Sequence, residues 1–170
     1  MTPEERINLS RAEDTHEKKA LEDIRAHGIH WLDVFDRDRE HDGRGFCYSV
    51  GLWHTHNHPE VIIFGLNSRL GGQVLNGIND DIGKGKSFQA GLSSMDVLDG
   101  FRCYFEIFPK EHYRDHLGWA RWFYDGDDFP AVQMLWPTKS GIYPWETQAS
   151  EEFKSMQPVF STIPLRVSYI

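Results

Sequence analysis

His54, His56 and His58 recur at every second residue and run into Pro59 and Glu60. Imidazole titrates nearest neutral pH and is the commonest metal ligand, so acid–base or metal chemistry can start in this segment. On a continued strand the three rings would leave one face, adjacent members about 6.5–7 Å apart at the backbone. His54 and His56 would then be placed to share a divalent metal, the only cofactor that the residues suggest, and a metal-dependent hydrolase is one reading. A third protein ligand would have to come from elsewhere, with Glu60 and Asp33 as candidates. Asn57-His58-Pro59 reads as a turn, which would spoil the alternation at the third histidine. The H-x-H spacing alone is a weak signal and better suits a surface or turn-capping role.

A different use of the same segment makes His58 a general acid or base and Glu60 the carboxylate that orients it. No serine completes a triad, because Tyr48-Ser49-Val50-Gly51-Leu52 lacks the G-x-S-x-G form of a nucleophile elbow. Gly83-Lys84-Gly85-Lys86-Ser87 is not a phosphate loop either: it lacks the G-x-x-x-x-G-K-[ST] spacing and follows a helix instead of opening one. Gln133 and Trp136, followed by Tyr143 and Trp145, form an aromatic, proline-marked stretch suited to line a ligand pocket, with Gln133 as the orienting amide. The plainer reading is a loop folded back over the sheet edge to complete the core, with its indole N–H groups satisfied locally.

These residues need a scaffold. Thr2-Pro3-Glu4-Glu5 has the form of a capping box, and the helix it opens is polar as far as Lys19. Residues 1–19 read as a polar helical leader, and residues 20–170 as one domain that starts with an amphipathic helix ending at Gly28. Strands are expected over 29–35, 46–52, 61–64, 101–107 and 131–136, with a short one near Phe88. Asn67 or Ser68 caps a helix carrying Leu70, Val74, Ile78 and Ile82, and Pro109 opens another with Tyr113, Leu117, Ala120 and Phe123 on one side. A last short helix lies near 151–156. The fold class is α+β: a single domain with a curved, mainly antiparallel sheet of five or six strands and three or four helices.

Composition narrows the partners. The 170 residues carry a net charge of −8, a poor balance for gripping a phosphate backbone, so nucleic acid is set aside. No apolar run approaches the roughly 20 residues of a membrane span, and the polar N-terminus is not signal-like, so a cytoplasmic location is expected. Cys47 and Cys103 read as reduced core thiols.

Phe46-Cys47-Tyr48-Ser49-Val50-Gly51-Leu52, leading to His58-Pro59-Glu60-Val61 and Phe64-Gly65-Leu66, resembles the core of an uncharacterised bacterial group, domain of unknown function 4262. Gln133 to Pro137 and Gly141 to Trp145 resemble its tryptophan–proline region, so the likeness spans Ile24 to Pro144. Ser49 stands where that group usually has threonine, and His54 and His56 are less typical of it than His58 and Glu60. The resemblance implies a domain and no activity. Function is therefore expected as a small-molecule pocket between the His58/Glu60 turn and the Trp136–Trp145 loop. The alternatives are a protein-interaction module of partner-binding or immunity type, using the charged loop Asp36 to Gly43 and exposed rings, and the His54/His56 hydrolase.

Overall fold

The computed structural model describes residues 1–35 and 45–161. The charged loop from Asp36 to Gly43 lies outside the described residues, as does the chain beyond 161. The capping box forms: the Thr2 side chain accepts the Glu5 N–H, and Glu5 accepts the Thr2 N–H, opening α1 (Pro3–Arg6). Asp14 then caps α2 (Thr15–His27), which crosses the boundary expected between Lys19 and Ala20, and Gly28 ends it in a left-handed conformation. Arg11 fastens the leader, donating to the Trp122 carbonyl at 2.8 Å and lying over the Trp122 ring.

After β1 (His30–Phe35) and β2 (Gly45–Val50) come α3 (Leu52–His56), β3 (Glu60–Phe64) and α4 (Ser68–Gly83). Then follow β4 (Ser93–Leu98), β5 (Phe101–Ile107), α5 (Tyr113–His116), α6 (Gly118–Tyr124), β6 (Ala131–Leu135) and α7 (Glu151–Met156). Among the described residues six strands form one mainly antiparallel sheet, as expected of the α+β class, in the order β1-β2-β3-β6-β5-β4. Every pairing is antiparallel except β3 with β6. Two antiparallel meanders, β1-β2-β3 and β4-β5-β6, thus meet at one parallel seam.

Side-chain alternation gives the sheet two buried faces. Ile62 and Phe64 of β3 join Tyr48, Tyr113, Leu117, Ala120 and Phe123 on one side. Val61 and Ile63 join Val74, Leu75 and Ile78 of α4 on the other, with both cysteines. A strand covered on both sides is uniformly apolar, which accounts for the unbroken run Val61-Ile62-Ile63-Phe64.

Three local expectations are corrected. The histidine segment is the helix α3 and not a continued strand, because Gly51 (φ 114°) turns the chain out of β2 and the Glu60 carboxylate collects the amides at the helix start. No strand forms at Phe88; the strand of that stretch is β4, which pairs with β5 across the Asp99-Gly100 turn. The helix expected from Pro109 is broken into a 3-10 turn (Lys110–His112), α5 and α6. Leu117 is pulled into the core at the break, and the Tyr48 hydroxyl accepts the Trp119 N–H at 3.0 Å.

Candidate functional site

Glu60 opens β3 and is fully buried. Five donors converge on it: the Ser49 hydroxyl at 2.7 Å, the N–H groups of Gly51, Leu52 and Trp53 at 3.0, 3.1 and 3.3 Å, and the Tyr124 hydroxyl in a short contact. Each hydroxyl is committed to donating, since Ser49 also accepts the Val61 N–H and Tyr124 the His54 N–H. Burial pushes the Glu60 carboxyl above its ordinary range, and the bonds from Tyr124, Ser49, Gly51 and Trp53 pull it back. The arrangement ties β2, α3, β3 and α6 to one carboxylate.

The expected Glu60–His58 contact does not form. His58 is also buried, but its Nδ1–H donates to the Pro59 carbonyl at 2.8 Å, and its Nε2 accepts the Phe88 N–H at 2.9 Å. The two bonds fix the neutral tautomer. Burial holds the imidazole below its usual pKa, while the Pro59 carbonyl acts in the opposite sense. Through this bridge His58 pins the segment after α4 against the turn before β3. Pro59, Gln89, Ala90, Phe108, Tyr113 and Pro130 then line a cleft of about 300 Å³, with Lys110 at its margin.

His54 and His56 leave α3 in different directions, as residues two apart on a helix must. The His54 ring meets Phe123 edge-on at 5.5 Å, and its Nδ1 is buried without a partner among the described residues. His56 Nε2 donates to Asn79 Oδ1 at 2.8 Å, and Asn79 in turn donates to the His27 carbonyl. Among the described residues no three His, Cys, Asp or Glu side chains gather in an arrangement able to hold a metal.

Gln133 lies within β6 and Trp136 just past it, and the two bond to different partners: Gln133 to Pro158 and Phe160, Trp136 to Gln157 and Phe64. In the parallel register Glu60 lies beside Ala131 and Ile63 beside Met134, and the Trp136 indole N–H reaches the Phe64 carbonyl at 2.8 Å. The turn and Trp136 therefore occupy opposite ends of the seam, about 13–17 Å apart along the strands. Among the described residues no cleft is lined by both, in contrast to the shared pocket expected from the sequence. Tyr143 and Trp145 stack on each other at 4.7 Å and pack edge-on against Tyr104 of β5. The Tyr143 hydroxyl donates to the Arg102 carbonyl at 2.6 Å.

A further constellation carries no motif. Asp23 of α2 accepts from His30 Nδ1 at 2.8 Å and is paired with Lys19. These three line a polar groove of about 630 Å³ with His27, Trp31, Asn76, Asn79 and Asp80. Burial acts to raise the Asp23 carboxyl, and the Lys19 and His30 bonds outweigh it, leaving it lowered. Neither this pair nor the Tyr124–Ser49 support of Glu60 was apparent in the sequence, since the partners meet only after α2 turns into β1 and α6 crosses β2.

No curated protein matches this chain, and no solved structure does. Residues 23–150 match the model of the family described as a domain of unknown function, DUF4262, as the strand, turn and tryptophan–proline segments suggest. The chain belongs to that family.

Proposed function

We propose that the domain binds a small, mainly apolar molecule carrying an anionic or hydrogen-bond-accepting group, in the cleft beside Pro59. The His58 bridge is the observation that carries this reading. It spends a buried imidazole on holding the Phe88 amide, and so seats Gln89 and Ala90 as a wall facing Pro59, Tyr113 and Pro130. About 300 Å³ is the lower end of the range for small-molecule sites, and an apolar lining with few polar groups is their usual chemistry. The Tyr113 hydroxyl is taken by the Phe129 carbonyl, so Tyr113 offers its ring, while Lys110 and Gln89 offer the polar contacts. His58 is on this reading a positioning residue and touches no ligand. The two free, buried thiols fit the reducing cytoplasm of a bacterial cell.

A thermal-shift panel of phenylacetate, indole-3-acetate, octanoate and their neutral amides tests the proposal. At least one acid raises the melting temperature of the wild type and does so more than its amide. Lys110→Ala weakens that acid by about tenfold, the effect of losing one charge-assisted contact. Ala90→Trp, at an exposed wall position, abolishes the shift. No response to any acid, or an unchanged response in both variants, defeats the reading.

A further inference from the structure

Residues 157–161, which follow α7, lie without regular secondary structure in a groove on the α5 side of the sheet. Gln133, fully buried in the middle of β6, grips its main chain: the amide nitrogen donates to the Pro158 carbonyl at 2.7 Å, and the amide oxygen accepts the Phe160 N–H at 3.2 Å. Gln157 makes the reciprocal pairing with the Trp136 backbone, accepting its N–H at 2.9 Å and donating to its carbonyl at 2.8 Å. Between these anchors the Phe160 ring enters a cage of Phe64, Phe108, His112 and His116, with centroids 5.1, 5.1, 4.8 and 5.2 Å away. Gln133, Trp136 and the four cage rings all fall within the family-matched residues 23–150, and every tail anchor falls outside them.

Main-chain recognition by a buried amide, with one side chain taken into an aromatic pocket, is how domains read extended peptides. We infer that this groove is a docking site for an extended segment of a partner protein that presents an aromatic residue three positions after an amide side chain. Residues 157–160 occupy it in cis as a displaceable plug. The template for the ligand is the tail itself, which meets the groove through two amide pairs and one ring and adds no strand to the sheet. Because a tethered segment acts at an effective concentration of about millimolar, a partner must bind the open groove well below that to displace it. This site is separate from the Pro59 cleft, so either proposal can fail without the other.

The test uses the full chain with Gln157→Ala and Phe160→Ala together, which removes the Gln157 pairing and the Phe160 ring, leaves only the Gln133 bonds to the tail main chain, and keeps the groove intact. The probe is an acetylated, amidated peptide of residues 155–161, titrated by calorimetry and by tryptophan fluorescence. The double variant binds it at least tenfold more tightly than wild type, in which the tail competes, and a peptide with alanine in place of its phenylalanine loses binding. Equal affinity for both proteins, or no saturable binding by a cooperatively folded double variant, overturns the inference. Hydrogen exchange on the wild type decides the matter if the double variant does not fold. The Phe160 amide exchanges by local opening, at least a hundredfold faster than the β6 amides. Exchange of both at the global unfolding rate makes the tail a fixed part of the core and overturns the plug. A wild-type dimer in sedimentation that the peptide dissolves would assign the groove to a second copy and overturn the partner reading.

Discussion

Glu60 accepts five hydrogen bonds that an amide cannot replace, because glutamine keeps one acceptor oxygen and turns an NH2 group toward donors. Glu60→Gln should therefore destabilise the fold by about 3 kcal/mol, read as a lowered urea midpoint. Ser49→Ala removes one of those donors and the acceptor of the Val61 N–H, and should cost about 1–2 kcal/mol. A Ser49→Ala loss as large as that of Glu60→Gln would show that the carboxylate is not the organising group. His58 gives the stability its pH dependence. Its folded-state pKa is depressed, so the unfolded chain takes up the proton first as pH falls below about 6.5. Stability present above that pH is lost as pH falls toward the folded-state value, where protonation would deprive the Phe88 N–H of its acceptor. His54, lowered by burial and by Arg6, adds to the same slope. His58→Gln should flatten the decline below about pH 6.5, measured as unfolding free energy against pH. That His58 and Glu60 matter was legible from their types and spacing. That they work apart was not, because the Tyr124 hydroxyl and the Phe88 amide arrive from distant parts of the chain.

α4 illustrates what periodicity tells and what it leaves out. The fourfold spacing of Leu70, Val74, Ile78 and Ile82 located the helix, and Asn67 caps it as expected. Nothing in that pattern says why glycines sit at 71 and 72, where helix propensity alone would prefer alanine. A Cβ on Gly71 would collide with the Cys47 sulfur, and one on Gly72 with the Trp31 ring, so the helix lies on the sheet at a distance only glycine allows. Gly77, on the same helix, is exposed and faces open space. Gly72→Ala should then destabilise by about 1–3 kcal/mol through overpacking, and Gly77→Ala should stabilise by about 0.5–1 kcal/mol. Thermal melts of the two variants check the contrast, and a Gly72→Ala protein as stable as wild type would sink the close-approach account. α3 and the α5–α6 break were not legible for a related reason. Local pattern offered a turn, or conditionally a continued strand, at the histidines and one long helix after Pro109, and tertiary bonds from Glu60 and Tyr48 decided otherwise.

At the scale of the molecule, the α+β class and five of the six strands were legible because alternation and turn residues mark them, whereas β4 was expected some residues too early, near Phe88. The order of strands was not, since no local signal places β6 between β3 and β5. That one fact separates the His58 turn from Trp136, where a single pocket spanning both had been expected. No helix among the described residues is long and apolar enough to cross a membrane. The seam has a further effect during synthesis on the ribosome. The first meander can form as soon as β3 emerges, but its outer edge, the wholly apolar Val61-Ile62-Ile63-Phe64, must wait for β6. At 5–20 residues per second, the roughly 70 residues between them take about 3–14 s to be made. Throughout that interval the nascent chain carries an uncapped, greasy strand border, the stage at which it most needs a chaperone.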